Sequence, residues 1–112
     1  MSLAVLLMTY PNDGRNLQRL IAAILKQGLA KCINRVNYMK SYYLREGKIK
    51  REEEKLLLIK TTDDKKERLI AFIKKQHPYE VPELIWLQPE SVDESYLKWI
   101  MTEEKVTTSK KK

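Results

Sequence analysis

The order of periodic segments predicts an α+β sandwich of the split-βαβ, ferredoxin-like kind, with a long β-hairpin and an extra C-terminal helix. Three observations carry this expectation. Residues 2–9 form an unbroken apolar run, the pattern of a strand in mid-sheet. Two segments, beginning at about residues 14 and 64, repeat apolar side chains at intervals of three and four. Between them, residues 32–61 are rich in β-branched, aromatic and aliphatic types and are broken once, at Glu46-Gly47-Lys48.

Each element has local signals. Pro11-Asn12-Asp13-Gly14 reads as a turn, with Asn12 or Asp13 as the helix N-cap. The first helix turns Leu17, Leu20, Ile21, Ile24 and Leu25 to one side and Asn16, Arg19 and Lys26 to the other, and Gly28 ends it. Residues 32–46 are long for one strand, so a bulge or bend is expected near Asn37–Ser41. The return strand spans residues 49–61, with Leu56–Ile59 as its buried part. Such a hairpin overhangs a small domain and exposes pairing edges that a second subunit can cover. Thr61 and Asp64 have the spacing of a capping box for the second helix, whose apolar face is Leu69, Phe72 and Ile73. That helix must stop near His77, because Pro78 and Pro82 fix their own φ and push the preceding residues towards extended backbone. A strand at 83–88 and a helix at 93–103, with Tyr96, Leu97, Ile100 and Met101 on one side, complete the order.

With 112 residues the chain is expected to form one domain over residues 1–105, followed by a flexible basic tail at 106–112. The net charge of +7 includes three lysines at the end of that tail, and the remaining charges interleave, as in Lys48 to Lys55. A mixed solvated surface follows, which disfavours a nucleic-acid partner. The N-terminal run lacks a basic leader and a cleavage site and is too short to span a bilayer, so a cytoplasmic protein with no membrane partner is expected. The single cysteine, Cys32, excludes an internal disulfide framework and reads as a small buried hydrophobe.

Catalytic chemistry finds little support. The three glycines are scattered, no glycine-bounded serine occurs, and one His and one Cys are available to pair, so an enzyme is not expected. Gln76-His77-Pro78-Tyr79-Glu80-Val81-Pro82-Glu83 instead concentrates polar side chains in a stiff segment. His77, Glu80, Glu83 and the Met8 thioether are conceivable copper or zinc ligands if the fold gathers them. Each also has a structural alternative, His77 as a group favouring the helix C-terminus and the carboxylates as solvated charges.

Read together, these motifs resemble the CutA family of divalent-cation tolerance proteins. The resemblance rests on Gly28-Leu29-Ala30, Cys32-Ile33-Asn34, Ser41, Tyr43, Glu46-Gly47-Lys48-Ile49, Glu54, Leu58-Ile59-Lys60-Thr61, His77 to Glu83, Tyr96-Leu97 and Trp99-Ile100. It covers about residues 3–101. It implies a ferredoxin-like homotrimer assembled through the long hairpin. It further implies intersubunit clefts lined by Tyr43, Glu54, Lys60, Tyr79, Glu80 and Glu83, with His77 and Met8 at the positions of proposed metal ligands. A role in the response to copper or another divalent metal is implied, with a metal or small-molecule ligand. Met8 stands where some members have Cys, and Gln76-His77 where some have two histidines, a change that weakens Cu(II) or zinc binding. Some relatives have Pro-Gly where this chain has Asn37-Tyr38. The alternative is a trimeric signalling or scaffold protein analogous to the PII proteins, binding a small ligand or a protein partner.

Overall fold

The computed structural model describes residues 1–102; the expected tail at 106–112 lies outside them. Strand β1 (Leu3–Pro11) leads to helix α1 (Gly14–Lys26), the paired strands β2 (Cys32–Arg45) and β3 (Lys48–Thr62), helix α2 (Lys66–Gln76), strand β4 (Leu84–Leu87) and helix α3 (Glu94–Met101). The sheet order is β2-β3-β1-β4 and every neighbouring pair is antiparallel, which is the ferredoxin-like arrangement.

Strand periodicity divides the sheet into two faces. Leu6, Met8, Leu57 and Ile59 point to one side, where Leu17, Leu20, Ile21 and Ile24 of α1 and Leu69 and Ile73 of α2 close the core. Leu25 stands 38% exposed at the rim, outside the buried face expected of it. The other face carries Val5, Leu7, Leu56, Leu58 and Lys60 and is covered only in part. There α3 lies beside β3, with Lys60 Nζ 5.5 Å from the Tyr96 ring centre and Lys31 Nζ donating to the Thr102 carbonyl at 2.8 Å. Cys32 is half-buried on this face rather than enclosed.

The turns follow from side-chain chemistry. The Asp13 carboxylate caps α1 by accepting the Asn16 N–H at 3.2 Å. At the other end, Gly28 (φ +70°) and Leu29 donate to the Leu25 and Ile24 carbonyls, the two bonds of a Schellman cap. Glu46 and Gly47 both have positive φ, so β2 and β3 join through a two-residue turn whose twist suits a hairpin. The register slips between Val36 and Met39, placing Asn37 and Tyr38 opposite one residue as a bulge, and Asn37 Oδ1 accepts from Arg35 Nε at 2.6 Å.

The capping box is not formed. Thr61 Oγ donates at 2.8 Å to the buried Leu29 carbonyl, and a 3-10 turn at Asp63–Lys65 opens α2 instead. Thr61 faces the core opposite Ala4, so its hydroxyl finds the helix-to-strand loop before it finds α2.

β1 reaches β3 only as far as Glu54, opposite Pro11. Beyond it, six pairs from Lys40↔Glu53 to Arg45↔Lys48 continue as a two-stranded arm. The arm stretches the molecule to 48 × 34 × 24 Å, with a radius of gyration of 15.4 Å against about 13 Å for a compact chain of this length. Replacing Gly28 by Ala puts a Cβ on left-handed backbone and should cost about 1 kcal/mol, read as a lower urea midpoint at unchanged slope. An unchanged midpoint would mean the cap is not formed in solution.

Candidate functional site

Past α2 the chain has no regular structure from His77 to Glu83, and this segment turns around the end of the sheet to the base of the arm. β4 stops opposite Met8, one residue short of Thr9, which leaves the Thr9 carbonyl without a strand partner there. His77 fills the gap: Nε2 lies 2.8 Å from Thr9 O, while Nδ1 accepts the Tyr79 backbone N–H at 3.1 Å. In the neutral ring this assigns the proton to Nε2. The imidazole is 7% exposed, with the Tyr10 ring 5.0 Å and the Tyr79 ring 5.1 Å away.

Fixed by that contact, Tyr79 reaches the arm. Its hydroxyl donates to Glu54 Oε2 at 3.0 Å and sits 3.5 Å from Glu52 Oε2, the outer limit of a useful bond. One phenol has one proton, so Glu54 takes it. Glu52 takes its own from Tyr43, whose hydroxyl lies 2.5 Å from Oε1. Burial first, then the bond and charge of Glu54, raise the Tyr79 pKa far above the ordinary phenol value. The bond to Glu52 raises that of Tyr43.

Glu52 and Glu54 are two apart on β3 and therefore share one face of the sheet, the one turned away from α1 and α2. Glu54 is 7% exposed. Among the described residues neither carboxylate has a Lys or Arg partner; the two phenols are their side-chain donors. Adjacent carboxylates without a cation can accept a cation from outside the chain.

Of the expected cleft residues, the fold brings Tyr43, Glu54 and Tyr79 together. Lys60 lies six positions along β3, roughly 20 Å away at strand rise, beside Tyr96. Glu80 and Glu83 are exposed and donate or accept no side-chain bond in the cluster. Met8 is fully enclosed in the core, and both ring nitrogens of His77 are engaged. No three His, Cys, Asp or Glu side chains converge as a metal-binding group among the described residues. Met8 and His77 as placed thus do not fit a copper or zinc centre within one chain. Sequence reasoning missed Glu52; the period-two pattern of β3, with Glu54 already singled out, was the signal for it.

A ferredoxin-like sandwich with an overhanging hairpin, an acid–phenol cluster at its base and a third helix on the open face defines a small α+β protein of the ferredoxin-like class. Residues 4–103 match the family described as CutA1 divalent ion tolerance protein, and the chain belongs to it. The divalent-cation tolerance proteins CutA of Yersinia pestis (strain Pestoides F) and Yersinia pseudotuberculosis (serotype O:3) are each 38% identical over 96 residues, 86% of this chain and 80% of theirs. Among solved structures, CutA1 from Oryza sativa superposes with a TM-score of 0.81 at 36% identity, covering 88% of this chain and 89% of its own. CutA1 from Pyrococcus horikoshii gives 0.79 at 33%, covering 88% and 94%. CutA from Archaeoglobus fulgidus, described as periplasmic, gives 0.80 at 26% over the same shares, 88% and 94%. No helix among the described residues is long and apolar enough to cross a membrane.

The Tyr79 contribution to stability is complete below pH 10, the ordinary phenol value, and is lost as pH rises towards the folded-state value above it. Ultraviolet phenolate titration should show one tyrosine ionising last, and Glu54→Gln should bring it down by about one unit or more. Equal titration of all tyrosines in the intact protein would refute the hydrogen bond to Glu54.

Proposed function

We propose that this divalent-cation tolerance protein acts as a homotrimer that binds rather than catalyses, meeting a divalent cation at the Glu52–Glu54 pair in clefts between copies. The observation that carries the reading is a nearly buried carboxylate beside a second one, with phenol donors and no Lys or Arg partner among the described residues. Oxygen donors of this kind favour hard ions such as Mn²⁺ or Mg²⁺ over Cu(I), which prefers thiolate and thioether sulfur. Binding there is weak, because each copy supplies too few ligands to complete a coordination sphere. Copper held by Met8 and His77 requires opening the core and breaking both imidazole bonds.

Association is supported by what the chain leaves uncovered. Val36, Ile85 and Leu87 are each about half exposed, at 45%, 46% and 45%, on the face turned away from α1 and α2. Leu44 and Ile49 stand across from each other near the tip of the arm at 72% and 78% exposure. A two-stranded arm is marginal alone and gains by lying on a neighbour. Lys60 is then the cation of an adjacent copy that can approach the carboxylates, sharing the cleft with Glu80 and Glu83. The cytoplasm, where reduced Cys32 persists, is the compartment we assign.

Light scattering should give about 40 kDa, three times the 13.3 kDa chain, and Leu87→Lys should lower it. A monomer mass for the unmodified protein would end this reading. Titration calorimetry with Mn²⁺ should register binding that Glu54→Gln weakens about tenfold or more. His77→Ala should weaken that affinity less than Glu54→Gln does, through the loosened Tyr79, while costing about 2–4 kcal/mol of stability through the stranded Thr9 carbonyl and the cavity left. Loss of ion binding in His77→Ala at full stability would make the imidazole a ligand after all.

A further inference from the structure

On the opposite side of the molecule, α1 and α2 diverge over the end of β1 and leave a groove of about 630 Å³. That size suits a small organic ligand. Leu20, Ala23, Phe72 and Pro78 give it apolar walls, and Tyr10 and Arg19 also line it. We propose that this groove binds a small carboxylate with an aromatic or branched apolar body, held by the Tyr10 hydroxyl and the Arg19 guanidinium.

Tyr10 is the reason to expect a polar ligand group. Its side chain is 3% exposed, its ring packs edge-on against His77, and its hydroxyl has no hydrogen-bond partner among the described residues. No side-chain N or O atom among the described residues is fully enclosed without a partner, so this hydroxyl is open to the groove that Tyr10 lines. Burial, and secondarily the charge of Asp13, raise its pKa, so the phenol remains a donor.

The groove carries one charge of each sign, Asp13 and Arg19. Asp13 keeps its charge but turns it to Asn16, accepting from Asn16 N and from Asn16 Nδ2 at 2.7 Å, at the positive end of α1. Arg19, six residues along the same helix, has no partner among the described residues and is the open charge of the groove. A carboxylate matches its planar fork and supplies the acceptor that Tyr10 lacks. The groove lies on the helical side of the sheet, so its fate is independent of the Glu52–Glu54 reading.

The test uses the full chain, ¹⁵N-labelled, with 4-phenylbutyrate as probe and 4-phenylbutanol as the uncharged control. Amide shifts should cluster at Ala23, Gln27, Phe72 and Gln76, with the carboxylate bound about tenfold more tightly than the alcohol. Tyr10→Phe keeps the ring and should weaken 4-phenylbutyrate about fivefold. Arg19→Gln, an exposed change, should erase the preference for the acid over the alcohol. Shifts scattered over the surface, equal affinity for both probes in the unmodified protein, or affinities unmoved by both substitutions would each overturn the proposal.

Discussion

The register of β1 against β3 is the constraint on which the rest of the structure depends. Leu3 lies opposite Thr62 and Pro11 opposite Glu54, and every side chain between them is assigned to a face by that alignment. A slip of one residue would turn Leu57 and Ile59 out of the core and Glu54 into it, burying a carboxylate among leucines. The same alignment decides where β1 ceases to flank β3 and the two-stranded arm begins. Glu54 sits at that boundary, so the pair it forms with Glu52 straddles supported and unsupported sheet.

Tyr79 and His77 build the acid–phenol cluster at this boundary. Proline on either side removes alternatives for the backbone between α2 and β4, and the imidazole joins that segment to β1 with a bond at each nitrogen. The phenol of Tyr79 then has one place to go. A histidine in a polar motif invites a ligand reading, yet here it does the work of a missing strand residue by satisfying a carbonyl where β4 has ended. Both imidazole nitrogens are engaged, while Glu52 of the carboxylate pair stays exposed.

The fold was legible because its signals are local and redundant. The apolar runs, the Gly28 cap, the Glu46-Gly47 turn and the excess length of the strand over 32–46 each predict their feature without knowledge of the partner segments. The βαββαβ order then leaves few topologies. The site was legible only in part. Tyr43, Glu54 and Tyr79 are named by the family resemblance, but their meeting depends on the two-residue offset along β3 and on where the proline-bracketed segment turns. Glu52 was hidden within the charged run Arg51 to Lys55, where solvated face and binding face look alike. Thr61 shows the opposite failure: its spacing to Asp64 is right for a cap, and a competing carbonyl at Leu29 takes the hydroxyl instead.

The arm has one more consequence, for the path by which the chain reaches this structure. Its pairs are nested around Glu46-Gly47, beginning with Arg45↔Lys48 across two intervening residues and widening one step at a time. By contrast, Val5↔Leu87 brings together positions separated by most of the polypeptide. The entropy lost in closing a loop rises with its length. The hairpin can therefore zip outward from its tip at little cost, while the edge strand β4 must wait for both ends of the chain to meet.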